Sequence, residues 1–238
     1  MKFKKLISDI HLWAGLILGI QVLLWMASGV IMSWFHIKDV RGENASADIE
    51  PPAISAETDI VPLADVLAAR DGAKIITLSH RPAGLQYIVE YGEDDREVFD
   101  ALTGKPVESL DEEIIRQSAL ADFTGEGELQ SVTYLLETEQ EFRRDPPVWL
   151  AQFDDSRHTR LYIDPQTGDI LSRRNDMWRI FDFFWMLHIM DYDERTNFNS
   201  WWLRGFAAAG LIFALSGLTM VYFRIRSGRY FRRRPKKG

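Results

Sequence analysis

Imidazole is the side chain in this sequence best equipped for chemistry. There is no cysteine, which excludes disulfides and thiolate metal sites. Of the five histidines, His80 and His158 fall in expected strands of a polar region. His11, His36 and His188 stand among apolar and aromatic residues. His11 and His36 bracket a charge-free run. On one continuous helix their separation amounts to about −20° after whole turns, so both project from one face. That face also carries Gly15, Leu18, Val22, Trp25 and Gly29. The rise between them is about 37 Å, so they cannot share one ligand site. His188 follows Trp178, Phe181 and Trp185 at spacings of 3, 4 and 3, one face of an amphipathic helix over Trp178–Met190. Two imidazoles from two helices, opposed across an aromatic gap, could ligate a b-type haem iron axially. The absence of Cys-x-x-Cys-His excludes a covalently attached c-type haem. His36 and His188 would form such a pair at one depth. His11 would need its second ligand from another copy or a partner. The competing reading of each is an ordinary polar residue at a membrane boundary.

Helices must hold these side chains, and the hydropathy pattern supplies them. Leu12 to Phe35 is 24 residues without a charge, about 36 Å of helix and enough to cross a hydrocarbon core of about 30 Å. Gly205 to Phe223 is a second uncharged run of 19 residues. Trp178–Met190, carrying Arg179 and Asp182, is too short and too charged to span and is expected in the interface. The net charge of −7 hides a strong asymmetry. Residues 36–200 carry 16 basic and 34 acidic side chains, whereas nine basic and no acidic residues lie from Arg204 onward. Lys2, Lys4 and Lys5 precede the first span. The positive-inside rule then puts both termini in the cytoplasm and the acidic middle outside. For a bacterial inner membrane that is the periplasm. Trp34, Trp201 and Trp202 fit an outer aromatic belt and Trp13 an inner one. The apolar run is too long for a cleaved signal peptide, although Ala45-Ser46-Ala47 looks like a cleavage site. The acidic middle argues against nucleic-acid binding.

Between the spans a pattern occurs twice, 64 residues apart. Val98-Phe99-Asp100-Ala101-Leu102-Thr103-Gly104-Lys105-Pro106-Val107 matches Tyr162-Ile163-Asp164-Pro165-Gln166-Thr167-Gly168-Asp169-Ile170-Leu171. Each reads as a strand, a tight Asp-x-x-Thr-Gly turn and a returning strand. Asp can bond the backbone two residues on, and Gly supplies a positive φ. Helices are expected at 62–69 and 111–121. Strands are expected at 75–78, 85–91, 132–136 and 148–153. The fold class is therefore α+β: tandem helix-plus-antiparallel-sheet units between two transmembrane α-helices. The divisions are 1–36 (N-terminus and first span), 37–60 (linker), 61–110 and 111–175 (the two units), 176–200 (interfacial helix and loop), 201–224 (second span) and 225–238 (basic tail).

The doubled hairpin resembles the PepSY domain, whose last hairpin carries this turn. The flanks resemble PepSY-associated membrane proteins. The resemblance rests on His11-Leu12-Trp13-Ala14-Gly15-Leu16-Ile17-Leu18-Gly19 with Ser28-Gly29, on Trp178 to His188, and on Gly217-Leu218-Thr219-Met220 with Arg224 and Arg226. Larger members with about four spans include ferric-siderophore reductases with b-haem between their helices. The resemblance thus implies His11, His36 and His188 as haem ligands, with no other metal. It implies electron transfer to ferric iron outside the membrane, a redox partner, and a homodimer or partner membrane subunit in the bilayer. It equally implies an alternative, since PepSY domains also act as non-enzymatic modules. Here that would be a membrane-anchored module that binds or regulates an envelope protein such as a peptidase. No phosphate loop, nucleophile elbow, zinc motif or dinucleotide fingerprint occurs, so no catalytic side chain is assigned. Asp191, Asp193 and Glu194 read as a solvated acidic loop, and Gly210, Ala214 and Gly217 as a helix-packing stripe.

Overall fold

The computed structural model describes residues 2–68, 70–197 and 199–227, with side chains from Lys5 onward. Most of the basic tail lies outside the described residues. Among the described residues six α-helices occur in chain order: α1 (Lys2–Trp34), α2 (Ile37–Val40), α3 (Leu63–Leu67), α4 (Glu112–Asp122), α5 (Asp176–Ile189) and α6 (Trp201–Arg226). Seven strands lie between α3 and α5: β1 (Ile75–Arg81), β2 (Gly84–Glu90), β3 (Arg96–Asp100), β4 (Leu129–Leu135), β5 (Val148–Phe153), β6 (Arg160–Ile163) and β7 (Ile170–Arg174). The chain divides into two compact units. One is residues 36–180; the other joins the chain up to Phe35 with the chain from Phe181 onward.

In the helical unit, Lys5–Trp34 and Trp201–Arg226 are long and apolar enough to cross a bilayer. Ser200 caps α6 by accepting the Leu203 N–H at 3.2 Å, and Arg224 and Arg226 occupy its last turn. Arginines there complement the negative end of the helix dipole. One expectation fails in this region. His36 does not continue α1: its backbone is extended (φ −74°, ψ 129°), because it caps the short α2. The helical phase that set His11 and His36 on one face therefore does not apply.

The other unit contains two antiparallel sheets, in the orders β1-β2-β3 and β4-β5-β6-β7. In the first sheet Leu85, Tyr87, Val89 and Phe99 gather against Val66 of α3. In the second, Ala151, Phe153, Leu161 and Ile163 gather against Ile115 and Ala119 of α4. The period-2 strand pattern meets the 3.6-period stripe of a helix, which is why each sheet takes one helix. The far face of the second sheet is closed by Phe142, which stacks on Tyr162 at 5.0 Å. The expected linker is partly structured. It contains α2 and a 3-10 turn at Glu43–Ala45. Ser46 then bridges Phe123, and the Ala47 N–H donates to Asp122 O at 2.7 Å. These are tertiary pairings that local composition does not announce.

The two Asp-x-x-Thr-Gly turns have the same backbone. Asp100 Oδ1 accepts the N–H groups of Leu102 (3.0 Å) and Thr103 (2.7 Å); Asp164 Oδ1 accepts those of Gln166 (2.9 Å) and Thr167 (3.0 Å). Gly104 and Gly168 sit at φ 70° and 76°, the region that favours glycine. Their surroundings differ. Leu102 and Thr103 are exposed, whereas Asp164, Pro165, Thr167 and Gly168 are buried. The second turn is wedged against the first sheet. Arg96 of β3 pairs with Asp164, and Arg81 of β1 with Asp169 at 2.9 Å. Gln86 Nε2 donates to Gln166 O at 3.1 Å, and Gln166 Nε2 to Val107 O at 3.0 Å.

Candidate functional site

His188 lies near the end of α5, packed on α1. The Trp25 Nε1–H donates to the His188 carbonyl at 2.7 Å. Ser28 Oγ lies 2.7 Å from Leu24 O and 3.1 Å from Trp25 O, so its single proton is given back to its own helix. That leaves the Ser28 lone pairs to face His188 Nδ1 at 3.1 Å. With the Ser28 proton on its own helix, these partners favour the imidazole proton on Nδ1, which leaves the lone pair on Nε2. A Cβ at Gly29 would stand 3.6 Å from His188 Cε1, in ordinary van der Waals contact, so the ring lies directly against α1.

His11 repeats the arrangement between α1 and α6. Ser216 Oγ donates to Phe213 O at 2.7 Å and faces His11 Nδ1 at 2.9 Å. Phe213 O, which can only accept, lies 3.3 Å from the same nitrogen. Nδ1 is again the donor and Nε2 carries the lone pair. The ring stacks on Phe213 with centroids 4.3 Å apart and planes 4° apart. Two glycines make the room. A Cβ on Gly217 would come within 3.0 Å of His11 Cε1, and one on Gly15 within 3.0 Å of Phe213 Cε2. Counted along α1, the levels of His11 and Ser28 differ by about 26 Å. The helical unit thus holds two oriented imidazoles at separate depths, one per level.

His36 is placed differently. It is exposed, and its Nδ1 accepts the Lys38 N–H at 3.4 Å, which puts the proton of the neutral ring on Nε2. His158 is exposed at φ 50°, with Nδ1 2.7 Å from Asp176 Oδ2. Burial pushes the Asp176 carboxyl up, but the bonds to His158 and Arg179 outweigh it and hold the group below the usual carboxylate range. His80 is half-buried on β1 and lines a cleft of about 760 Å³ between the sheets. No group of three or more metal-ligating side chains occurs among the described residues. Asp191 is engaged by the N–H groups of Thr196 and Asn197, each at 2.9 Å. Arg195 reaches back at 2.5 Å to Asp182, which is 4 % exposed.

The spacing argument singled out His11 and His188 but did not reach Ser28, Ser216 and Phe213, the groups that orient them. Their signal is weak in one dimension. A serine beside a glycine in an apolar helix (Ser28-Gly29, Ser216-Gly217) reads as close packing. Only the register of α1 against α5 and α6 shows that each pair receives an imidazole.

A family model described as a PepSY-associated TM region matches residues 8–238 of the chain. No curated protein and no solved structure matches it.

Proposed function

From the premise that the chain belongs to the PepSY-associated transmembrane family, we propose that it is a b-haem electron-transfer component of the bacterial inner membrane. In this reading it is linked to reduction of ferric siderophore iron on the periplasmic side. The observation that supports this is the matched placement of a serine hydroxyl against Nδ1 of His11 and of His188, which favours the proton on Nδ1 in each ring. An imidazole binds iron through a bare ring nitrogen, and ligating histidines characteristically donate the other N–H to an oxygen acceptor. Both rings meet that requirement. Bound haem would supply reversible one-electron chemistry. The chain's own residues fix the ring tautomers, set the two ligands at separate depths and, through Phe213 and Trp25, hold the ring of His11 and the backbone of His188. His36 would join only by giving up its cap on α2. Each level offers one imidazole from the helical unit, so six-coordination calls for a second copy or a partner subunit. Both termini then face the cytoplasm, and the acidic unit of residues 36–180 meets the iron substrate or a redox partner.

The test is an optical spectrum of the full chain purified from haem-replete cells, oxidised and then dithionite-reduced. A sharp reduced α band that weakens in His11→Ala and in His188→Ala supports the reading. A colourless protein, with or without its membrane partners, overturns it. The second reading, a membrane-anchored module that binds or regulates an envelope protein such as a peptidase, draws on the cleft of the intervening unit and predicts that neither substitution alters binding.

A further inference from the structure

The cleft between the two sheets is lined from both sides by edge strands. Ser79, His80 and Arg81 of β1 form one wall; Ile170 and Arg173 of β7 form part of the other, with Gln117 and Ala121 of α4. Its volume is about 760 Å³, within the range of sites that bind small molecules or short peptides. The residues after the 3-10 turn, Asp48 to Pro52, run along its rim.

The backbone direction of β1 follows from its neighbours. The Ala101 N–H donates to Leu85 O at 2.9 Å, so Leu85, Tyr87 and Val89 turn their amides toward β3. Gln86 and Ile88 then face β1, where their partners are Ser79 and Thr77. By alternation the N–H and C=O groups of Ile76, Leu78 and His80 point away from the sheet. Among the described residues no other main chain pairs with this outer edge; only the Ser79 hydroxyl donates to it, at His80 O over 3.2 Å. The opposite edge of the same sheet is closed, since Val98 O accepts the Val107 N–H at 2.8 Å and Phe99 bridges Pro106. Exposed edges are normally blunted by lysine, proline or a bulge. Ile-Ile-Thr-Leu-Ser-His-Arg has none of these and pairs with β2 without a register shift.

The lining also limits what fits. Arg81 is held by Asp169 and Arg173 by Asp122, so the two strongest cations already have counter-ions. What remains is the outward main chain of His80, where the edge of β1 enters the cleft, flanked by Ile49, Pro82, Ala121 and Ile170; the outward groups of Leu78 and Ile76 continue that edge beyond the cleft. Only an extended polypeptide matches alternating N–H and C=O groups along an edge. We propose that this cleft binds an extended, largely uncharged peptide segment of another protein, which adds as a strand to the outer edge of β1. The proposal stands independently of haem binding.

Proline substitution isolates the claim, because an outward N–H can be removed from an edge strand without breaking its inner ladder. A displayed random dodecapeptide library is selected on the full chain in lipid nanodiscs, with empty nanodiscs as the counter-selection. Enriched peptides are then synthesised and their affinities measured by fluorescence anisotropy. The expected result is that His80→Pro weakens binding about ten-fold, the effect of one backbone hydrogen bond with its neighbours disturbed. His80→Ala, which keeps the N–H, stays within about three-fold. Hydrogen exchange on the unmodified chain supplies a measurement that no misfolded variant can confound: added peptide should protect the Leu78 and His80 amides. The proposal is overturned if no peptide is enriched over empty nanodiscs, if both His80 variants lose affinity equally, or if protection falls elsewhere.

Discussion

Replacing Asp100 and Asp164 by alanine, one at a time, asks one motif the same question in two environments. Each aspartate accepts two backbone N–H groups across its turn. At Asp100 the freed amides of exposed Leu102 and Thr103 can bond water, so the loss is that of ordinary turn hydrogen bonds, about 1 kcal/mol. At Asp164 the freed Thr167 N–H belongs to a residue 1 % exposed, and Arg96 loses the partner it holds on a carboxylate that is 3 % exposed. A buried unsatisfied donor costs about 1–3 kcal/mol, and a broken buried ion pair about 3–5 kcal/mol. The Arg96 side chain is 41 % exposed and regains water, so the pair contributes about 1 kcal/mol, as at a surface, rather than the buried figure, and with about 2 kcal/mol for the donor the total is about 3 kcal/mol. Asp164→Ala should therefore destabilise the unit of residues 36–180 by about 2 kcal/mol more than Asp100→Ala. Urea unfolding of the full chain in nanodiscs, followed by the loss of the β signal in circular dichroism, measures the difference. A double-mutant cycle with Arg96→Ala separates the ion pair from the turn. Equal effects from the two alanines, or a larger one at Asp100, would refute the argument from burial.

Gly217→Val should loosen the packing of α1 on α6 by about 1–3 kcal/mol, since even its Cβ meets His11 at 3.0 Å; a fall in thermal midpoint in nanodiscs checks this, and Gly210→Val, where nothing lies within 4 Å, is the neutral control. Arg195→Ala removes one ion pair of buried Asp182 and should cost about 1–3 kcal/mol; faster proteolysis after Asp191 reports it, and adding Asp182→Asn should recover part of the loss. Burial raises the Asp191 carboxyl, but the N–H groups of Asn197 and Thr196 outweigh burial and hold it below its ordinary value. Its stabilisation is thus complete above the unfolded aspartate pKa of about 3.9 and is lost as pH falls through the lower folded value. Asp191→Asn should accordingly lower the thermal midpoint at pH 7, and the gap from the unmodified chain should close in strong acid.

Elements governed by local periodicity were readable in one dimension. The helix expected at 111–121 is α4, Glu112–Asp122, and the strand at 148–153 is β5. The expectation at 132–136 began three residues late for β4, because a register shift between Leu129 and Ser131 interrupts the alternation. What could not be read depends on partners distant in sequence. The break after α1 is made by His36 capping α2. The ordered part of the linker is made by Ser46 meeting Phe123. The orientation of His11 needs Ser216, 205 residues away. The doubled turn was visible as a repeat, but nothing in its letters distinguishes the surface copy from the interior one.

That distinction sets different freedoms for the two copies. The turn at Asp100 can lengthen or change sequence at little cost, as a surface hairpin does. The turn at Asp164 is a keystone: its carbonyls and carboxylate are the acceptors for Arg96, Gln86 and the Leu110 N–H. The first sheet therefore completes its polar contacts only with residues some 70 positions downstream. The repeats descend along the chain as equals, yet they do not assemble as separable modules. A chain cut between them would leave the first without the polar partners its own sheet was built to hold.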